Sequence, residues 1–244
     1  MGPSTEIMKQ NNTLASTQCV TLDLDDTLWP VEPTLVSAEN ALYEWMEVNF
    51  PRLTESYTQQ QIAAKRLANA DSYPDIEHNV TEIRYRSLRD LGTEFGFSDD
   101  FAHHAMEVFR YHRNLVTPYA ASEPVLSALK PHFLLGAITN GNAQLEYIPI
   151  GRYFDFCITA EQAGVSKPHS EMFERAANLA NVPIAHVLHV GDSAHTDVLG
   201  AMKAGCKAVW FNNKREVWPG GQNPHYVIHC LSELPKLLNI PFDN

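Results

Sequence analysis

The sequence predicts an α/β protein: a doubly wound parallel sheet, interrupted near its start by an all-helical insertion. Three observations carry this. Beyond Pro118, short apolar runs alternate with helical stretches, the pattern of a parallel sheet covered on both faces. Residues 31–116 keep helical spacing and contain no good strand. Several apolar runs end in Asp or Thr, which puts polar groups at the carboxyl ends of strands, where open α/β sheets bind ligands. The expected layout is a flexible tail over 1–17, a core over 18–30 and 117–244, and the insertion over 31–116.

The elements follow in order. Residues 19–24 are apolar and β-branched and read as a buried strand ending in acids. "TLVSAENALYEWMEVNF" is a helix that Pro51 should stop. Helical spacing continues over 54–69 and 76–95, on either side of a break holding Pro74. Ser98 is placed to cap a helix through Phe101, Met106 and Phe109. A short helix over 122–130, a strand in "HFLLGAITNG" and a short strand in "FCITA" come next. "HSEMFERAANLAN" is a helix, "HVLHVGD" a strand, and "AHTDVLGAMKAG" a helix closed by Gly205. "CKAVWFN" and "HYVIHC" are further strands, and 231–238 a last helix.

Composition narrows the function. Of 244 residues, 44% are hydrophobic, enough for a sizeable core. A net charge of −11 makes a poor non-specific binder of nucleic acid. It would also repel a phosphorylated molecule unless a local cation or metal offsets it. The four cysteines show no CxxC spacing, so neither a zinc site nor a disulfide framework is indicated, and a reducing compartment, the cytoplasm, fits best. With no apolar run of membrane-spanning length and a polar start lacking a signal-peptide core, neither a membrane span nor secretion is expected. The expected partner is a small metabolite, the expected state a monomer or homodimer.

"VTLDLDDTLWP" carries the chemistry. In an extended segment alternate residues face one way, so Asp23 and Asp25 point into one cleft and Asp26 away. Two carboxylates on one side suit a nucleophile and a general acid/base. Asp192 and Asp197, in "HVGDSAHTD", follow another strand, and Asp23 with Asp192 could hold a hard cation such as Mg²⁺ with one backbone carbonyl. Lys167 can offset phosphate charge. Thr139 and the backbone around Asn140 and Gly141 can donate to phosphoryl oxygens. Together these suit phosphoryl transfer through a covalent aspartyl phosphate.

DxDxTL at 23–28, a strand ending in Thr139-Asn140, Lys167-Pro168, and GDxxxxD at 191–197 resemble the four ordered motifs of the haloacid dehalogenase-like hydrolases, over about residues 18–238. The insertion resembles the α-helical cap of that family's first subclass. The resemblance implies a Rossmann-like core, Asp23 as nucleophile and Mg²⁺ ligand, and Asp25 as leaving-group acid, then water base, lending its carbonyl to the metal. It implies Thr139 on the phosphoryl group, Lys167 steadying charge, and Asp192 as second metal ligand. It counts Asp197 with the metal site, behind the direct ligands or orienting Lys167 or a metal-bound water. Trp29, at the hinge into the cap, and Arg86, in "IRYRSLRD", are candidates for substrate contact, a solvated helix face being the other reading of the arginines.

The activity implied is a Mg²⁺-dependent phosphatase for a small phosphomonoester. "DLDDTLW", "GDSAHTDVLGAMKAG" and the late Trp tract look similar to bacterial phosphatases acting on FMN and on the phosphorylated ribitylaminouracil precursor of riboflavin. Phosphoglycolate, sugar phosphates and nucleotides are the alternatives. A haloacid dehalogenase lacks the second Asp of the first motif, and a phosphomutase usually has Gly-Val where this chain has Asp26-Thr27-Leu28. A signalling receiver is half this length and orders its acids differently. A catalytically dead binding protein would have lost a motif residue, and none is missing.

Overall fold

The structure, a computed structural model, describes residues 14–70 and 72–242. Six strands form one parallel sheet: β1 (Cys19–Leu22), β2 (Leu134–Thr139), β3 (Phe156–Thr159), β4 (Val187–Gly191), β5 (Lys207–Phe211) and β6 (Tyr226–Ile228). Their order is β3-β2-β1-β4-β5-β6. Chain order reverses between β2 and β4 around β1, so the switch point lies at the carboxyl end of β1. The central strands β1, β4 and β5 are buried throughout, as suits their mostly apolar sequences, with Thr21, His189 and Lys207 the polar exceptions.

The helices are α1 (Val31–Asn49), α2 (Pro51–Ser56), α3 (Gln59–Ala70), α4 (Val80–Glu94), α5 (Asp100–Arg113), α6 (Ser122–Leu129), α7 (Ala160–Ala163), α8 (Ser170–Ala180), α9 (Gly200–Ala204) and α10 (Glu233–Leu237). The described residues divide into two compact units. The α/β unit holds the residues up to Pro30, Pro118–Gly141 and those from Pro149 on. The helical unit holds Val31–Thr117 and, in addition, Asn142–Ile148, a segment the sequence reading assigned to the core. Arg113 and Asn114 draw it there: Arg113 Nε donates to Asn142 Oδ1 (3.1 Å), Asn114 Nδ2 to Gln144 Oε1 (3.2 Å), and Gln144 N to Asn114 Oδ1 (2.8 Å).

Each unit has its own core. In the α/β unit Met172, Phe173 and Ala176 of α8 pack with Ile138, Val187 and Ala208 of the sheet. In the helical unit Ala38, Leu42 and Met46 of α1 meet Phe101, Ala105 and Phe109 of α5.

Several expectations change. The tail over 1–17 falls mostly outside the described residues, but Leu14 and Thr17 are buried, and Lys207 Nζ donates to Ser16 Oγ (2.7 Å), so 14–17 is anchored chain. Pro51 does more than stop α1: it opens α2 at a first-turn position, where its missing N–H costs nothing. Ser98 caps nothing; α5 starts at Asp100, and the Ser98 hydroxyl turns to Asp100 Oδ2 (3.4 Å). The helix expected after Asp192 is a π-helical turn, Ala194–Leu199, before α9, which Gly205 ends at φ +97°. Strand β1 stops at Leu22, one residue before the acids.

Candidate active site

The sheet edge at β1 and β4 builds the site. Asp23 N donates to Val190 O (2.9 Å), continuing the ladder one step and fixing the backbone that carries the first carboxylate. The chain then turns tightly: Leu28 N donates to Leu24 O (2.8 Å) and Asp26 N to Trp29 O (2.8 Å), with Asp26 in the left-handed region at φ +58°. Asp tolerates that region better than most residues. Trp29 is fully buried, and its indole N–H donates to Asp25 Oδ1 (2.9 Å), orienting that carboxyl group.

Lys167 is the hub. Its ammonium, 2% exposed, lies 2.7 Å from Asp23 Oδ1, 2.6 Å from Asp197 Oδ1 and 2.7 Å from the Ile138 carbonyl. An ammonium has three N–H donors, so all three are engaged. Asn140 holds the lysine backbone from both sides: Nδ2 donates to Lys167 O (2.9 Å) and Lys167 N donates to Oδ1 (2.8 Å). The buried Thr139 hydroxyl accepts from Gly141 N (2.9 Å).

On the β4 side, Asp197 accepts from Ser193 N at Oδ2 (2.9 Å), while its Oδ1 also lies 3.4 Å from His189 Nε2. The other ring nitrogen of His189 lies 2.9 Å from Thr21 Oγ1. A π-turn, a geometry frequent at functional sites, brings Asp197 back toward the strand end. Gly191 is obligatory there, since a Cβ would lie 2.3 Å from Asp197 Cγ. Thr27 and Asp192 bind reciprocally: Thr27 Oγ1 donates to Asp192 Oδ1 and accepts from Asp192 N, both at 3.1 Å. Trp210 Nε1 donates to the Asp192 carbonyl (2.7 Å).

The electrostatics are those of an acid surplus. Burial pushes the Asp23 carboxyl well above the usual range despite Lys167. Burial, then the Asp197 charge, pushes Asp192 up to about 6. Burial would raise Asp197 too, but Lys167 and His189 outweigh it and hold that carboxyl below the usual range. Lys167 is raised because Asp197 and Asp23 outweigh its own burial, and burial pushes His189 down, toward neutral imidazole. Carboxylate oxygens of Asp23, Asp192 and Asp197 lie within 4.8 Å of one another, an all-oxygen donor set that suits a hard divalent cation. Each of the three has a protein partner as well: Asp197 meets Lys167, His189 and Ser193, Asp23 meets Lys167, and Asp192 meets Thr27.

The site thus gathers Asp23, Asp25, Thr139, Asn140, Gly141, Lys167, Asp192 and Asp197 in one unit, with two changes of position, at Trp29 and Arg86. The Asn140 side chain holds the Lys167 backbone, a bond separate from the backbone N–H expected to face a phosphoryl oxygen. Trp29 is buried against Asp25 and has no face to offer a ligand. Arg86 belongs to the helical unit, on α4, where Nε donates to Glu82 Oε1 (2.7 Å) and the guanidinium covers the Tyr73 ring. The Asp25 side chain is absent from the three-carboxylate group. Sequence reasoning gives no role to Thr27 or Ser193, reads His189 as an ordinary core or surface residue, and places Trp210 in a tract on the site side that packs against the core. Thr27 lies inside the first motif and could have been found; the contacts of the others are signalled by nothing but the fold.

Fold and site together define a Rossmann-like α/β enzyme with an acidic, oxygen-rich centre at the sheet's switch point. The chain belongs to the haloacid dehalogenase-like hydrolases, whose family profile matches residues 17–205. It is 34% identical over 233 residues to the 5-amino-6-(5-phospho-D-ribitylamino)uracil phosphatase YigB of Escherichia coli, covering 92% of this chain and 98% of that one. It is 34% identical over 130 residues to the pyrimidine 5'-nucleotidase YjjG of the same organism, 51% of this chain and 58% of that one. Among solved structures, a 2-haloacid dehalogenase from Pseudomonas syringae superposes with a TM-score of 0.86 at 34% identity, covering 91% and 98%. The chain is an enzyme, a phosphatase of this family. No helix among the described residues is long and apolar enough to cross a membrane.

Proposed function

We propose that the chain hydrolyses a small phosphomonoester through an aspartyl phosphate on Asp23, with Mg²⁺ held by Asp23, Asp192 and the Asp25 carbonyl. The observation that carries this is the closeness of Asp23 and Asp192, whose carboxylate oxygens lie within 4.8 Å of each other as an oxygen pair for a hard cation, with Lys167 paired to Asp23, the carboxylate that attacks. The ion supplies positive charge that lets an anionic ester approach an acidic centre.

The chain's residues do the rest. An Asp23 oxygen bonds to phosphorus as the ester P–O bond breaks, and Asp25 gives the leaving oxygen its proton. Asp25, now a carboxylate, takes a proton from water as the water oxygen bonds to phosphorus and the P–O bond to Asp23 breaks, releasing phosphate. Trp29 holds Asp25 in one orientation through both steps. Thr139, whose hydroxyl oxygen is held by Gly141 N–H, is positioned to donate to a phosphoryl oxygen. Lys167 keeps Asp23 aimed.

The favoured substrate class is a riboflavin-pathway phosphate, supported by likeness to YigB over nearly the full length of both chains. A nucleotide is the second reading, from the partial match to YjjG. The dehalogenase likeness is weaker support for that chemistry, because a halide leaves without a proton and gives Asp25 no task. The free cysteines Cys19, Cys157, Cys206 and Cys230, none in a disulfide, suit a reducing compartment such as the cytoplasm. The test is phosphate release from a panel of phosphomonoesters, with Mg²⁺ and with EDTA. Mg²⁺-dependent release led by FMN or the ribitylaminouracil phosphate supports the full reading. Broad weak release removes the substrate class, and no release removes the activity.

A further inference from the structure

The site as described has no cation to spare for an incoming phosphate, since all three Lys167 donors are engaged within the protein. Against it stand Asp23, Asp25, Asp26, Asp192 and Asp197, in a chain of net charge −11. A bound divalent cation leaves that balance negative for a substrate that is itself a dianion. A second cation belongs at this edge of the sheet.

We propose that Lys214 is that cation: a substrate-recognition residue for the phosphate dianion, presented beside the DLDD segment by the loop after β5. The inference rests on the phosphatase reading above. Strand β5 is paired to β4, with Trp210 opposite Gly191, so the loop leaves the sheet next to Asp192. Asn212 closes the loop rigidly: Glu216 N donates to its Oδ1 and its Nδ2 donates to Glu216 O, both at 2.8 Å. Its neighbour Asn213 reaches Tyr119 OH (3.4 Å), which ties the tip to the segment entering α6. Lys214 then places Nζ 3.1 Å from Asp26 Oδ2, one residue from Thr27, which itself grips Asp192.

Two features separate this lysine from a mere staple. Its side chain is 57% exposed, and an exposed ion pair is worth little, so it can let go of Asp26 when a stronger anion arrives. Asp26 takes one of three ammonium donors. The left-handed turn at Asp26 aims that carboxylate at the loop, where it parks the lysine near the acids without a tight bond.

The experiment compares Lys214→Ala, Lys214→Arg and Asp26→Asn in the full chain with Mg²⁺. It reads kcat and KM on p-nitrophenyl phosphate, inhibition by inorganic phosphate, and phosphate binding by calorimetry. Lys214→Ala is expected to raise KM and the phosphate inhibition constant ~5-fold with kcat nearly unchanged, and to flatten the salt dependence of kcat/KM. Lys214→Arg restores both constants. Asp26→Asn shifts them the opposite way, because the lysine is released to the ligand. The proposal is overturned if Lys214→Ala leaves both constants unchanged, or if Asp26→Asn copies Lys214→Ala, as a structural staple requires. An enzyme that releases no phosphate from any ester sinks the phosphatase reading instead, and calorimetry with phosphate still decides the role of Lys214.

Discussion

Lys167 Nζ and Asp197 Oδ1 stand 2.6 Å apart with both side chains all but sealed from solvent. Two charges so placed are costly to desolvate, and the pair holds because each has further partners: Asp23 and Ile138 O for the lysine, Ser193 N and His189 for the aspartate. Asp197 is in this way the counter-ion that keeps Lys167 charged and aimed at Asp23. Asp197→Asn is therefore expected to cost about 3–5 kcal/mol of stability, because an ammonium is left buried with less compensation. It should also lower kcat at least ~100-fold. Thermal unfolding and single-turnover rates check the two effects separately.

Gly191 should be irreplaceable for the same reason. A methyl group at its Cβ position would sit 2.3 Å from Asp197 Cγ, a distance no rotamer of alanine relieves. Gly191→Ala is expected to reproduce the activity loss of Asp197→Asn although it changes no charge. If the alanine variant keeps wild-type kcat, Asp197 is not needed where it stands.

Much of this was legible in the sequence, and the reason is local. The motif residues follow strand ends directly, and parallel sheets gather strand ends on one edge, so placing β1, β2 and β4 also placed Asp23, Thr139 and Asp192. What could not be read depends on side chains meeting across the fold. Nothing in the spacing tells that the Asn140 side chain holds the backbone of Lys167, 27 residues away. Trp29 looks like a hinge residue until its indole is found buried on Asp25. Spacing cannot distinguish a π-turn from an α-helix over six residues, and the grouping of Asn142–Ile148 with the helices rests on three amide and guanidinium contacts.

Trp29 as an orienting residue makes a distinct expectation. Trp29→Phe removes the one indole donor from Asp25 Oδ1 and keeps an aromatic ring in the buried site. A hydrogen bond to a carboxylate is worth about 1.5–3 kcal/mol, so kcat should fall ~10-fold or more with KM little changed. Substrate ranking should stay as it is. A changed ranking at constant kcat would return Trp29 to substrate contact.

Asp192 gives the metal requirement a pH dependence. Its carboxyl, raised to about 6 by burial and by Asp197, must lose its proton to bind a cation. Protons therefore compete increasingly as pH falls below about 6, and the Mg²⁺ concentration for half-activation should rise from pH 7 to pH 5. Titrating Mg²⁺ at each pH measures it directly. A half-activation concentration independent of pH would remove Asp192 as a ligand.

The helical unit carries its own titratable tie, and its sign is opposite. Glu39 Oε1 on α1 accepts from Arg84 Nη2 at 2.8 Å and Arg66 Nη1 at 2.5 Å. Arg84 is largely buried, with its guanidinium 3.5 Å from the centre of the Phe109 ring, and burial lowers it to about 10, so it stays charged at pH 7. Burial would raise the Glu39 carboxyl, but the two arginines outweigh it and hold it below the usual range. A carboxyl depressed on folding adds stability above its unfolded value, near 4.5, and loses it as pH falls through the folded value. Glu39→Gln is thus expected to cost about 2 kcal/mol at pH 7, a Tm drop of about 4–8 °C. The difference from wild type should shrink as pH falls below about 4.5 and through the folded value of Glu39, where the glutamate itself becomes neutral. A gap that stays undiminished down to acid unfolding would mean that shape, not charge, makes Glu39 matter to α1, α3 and α4.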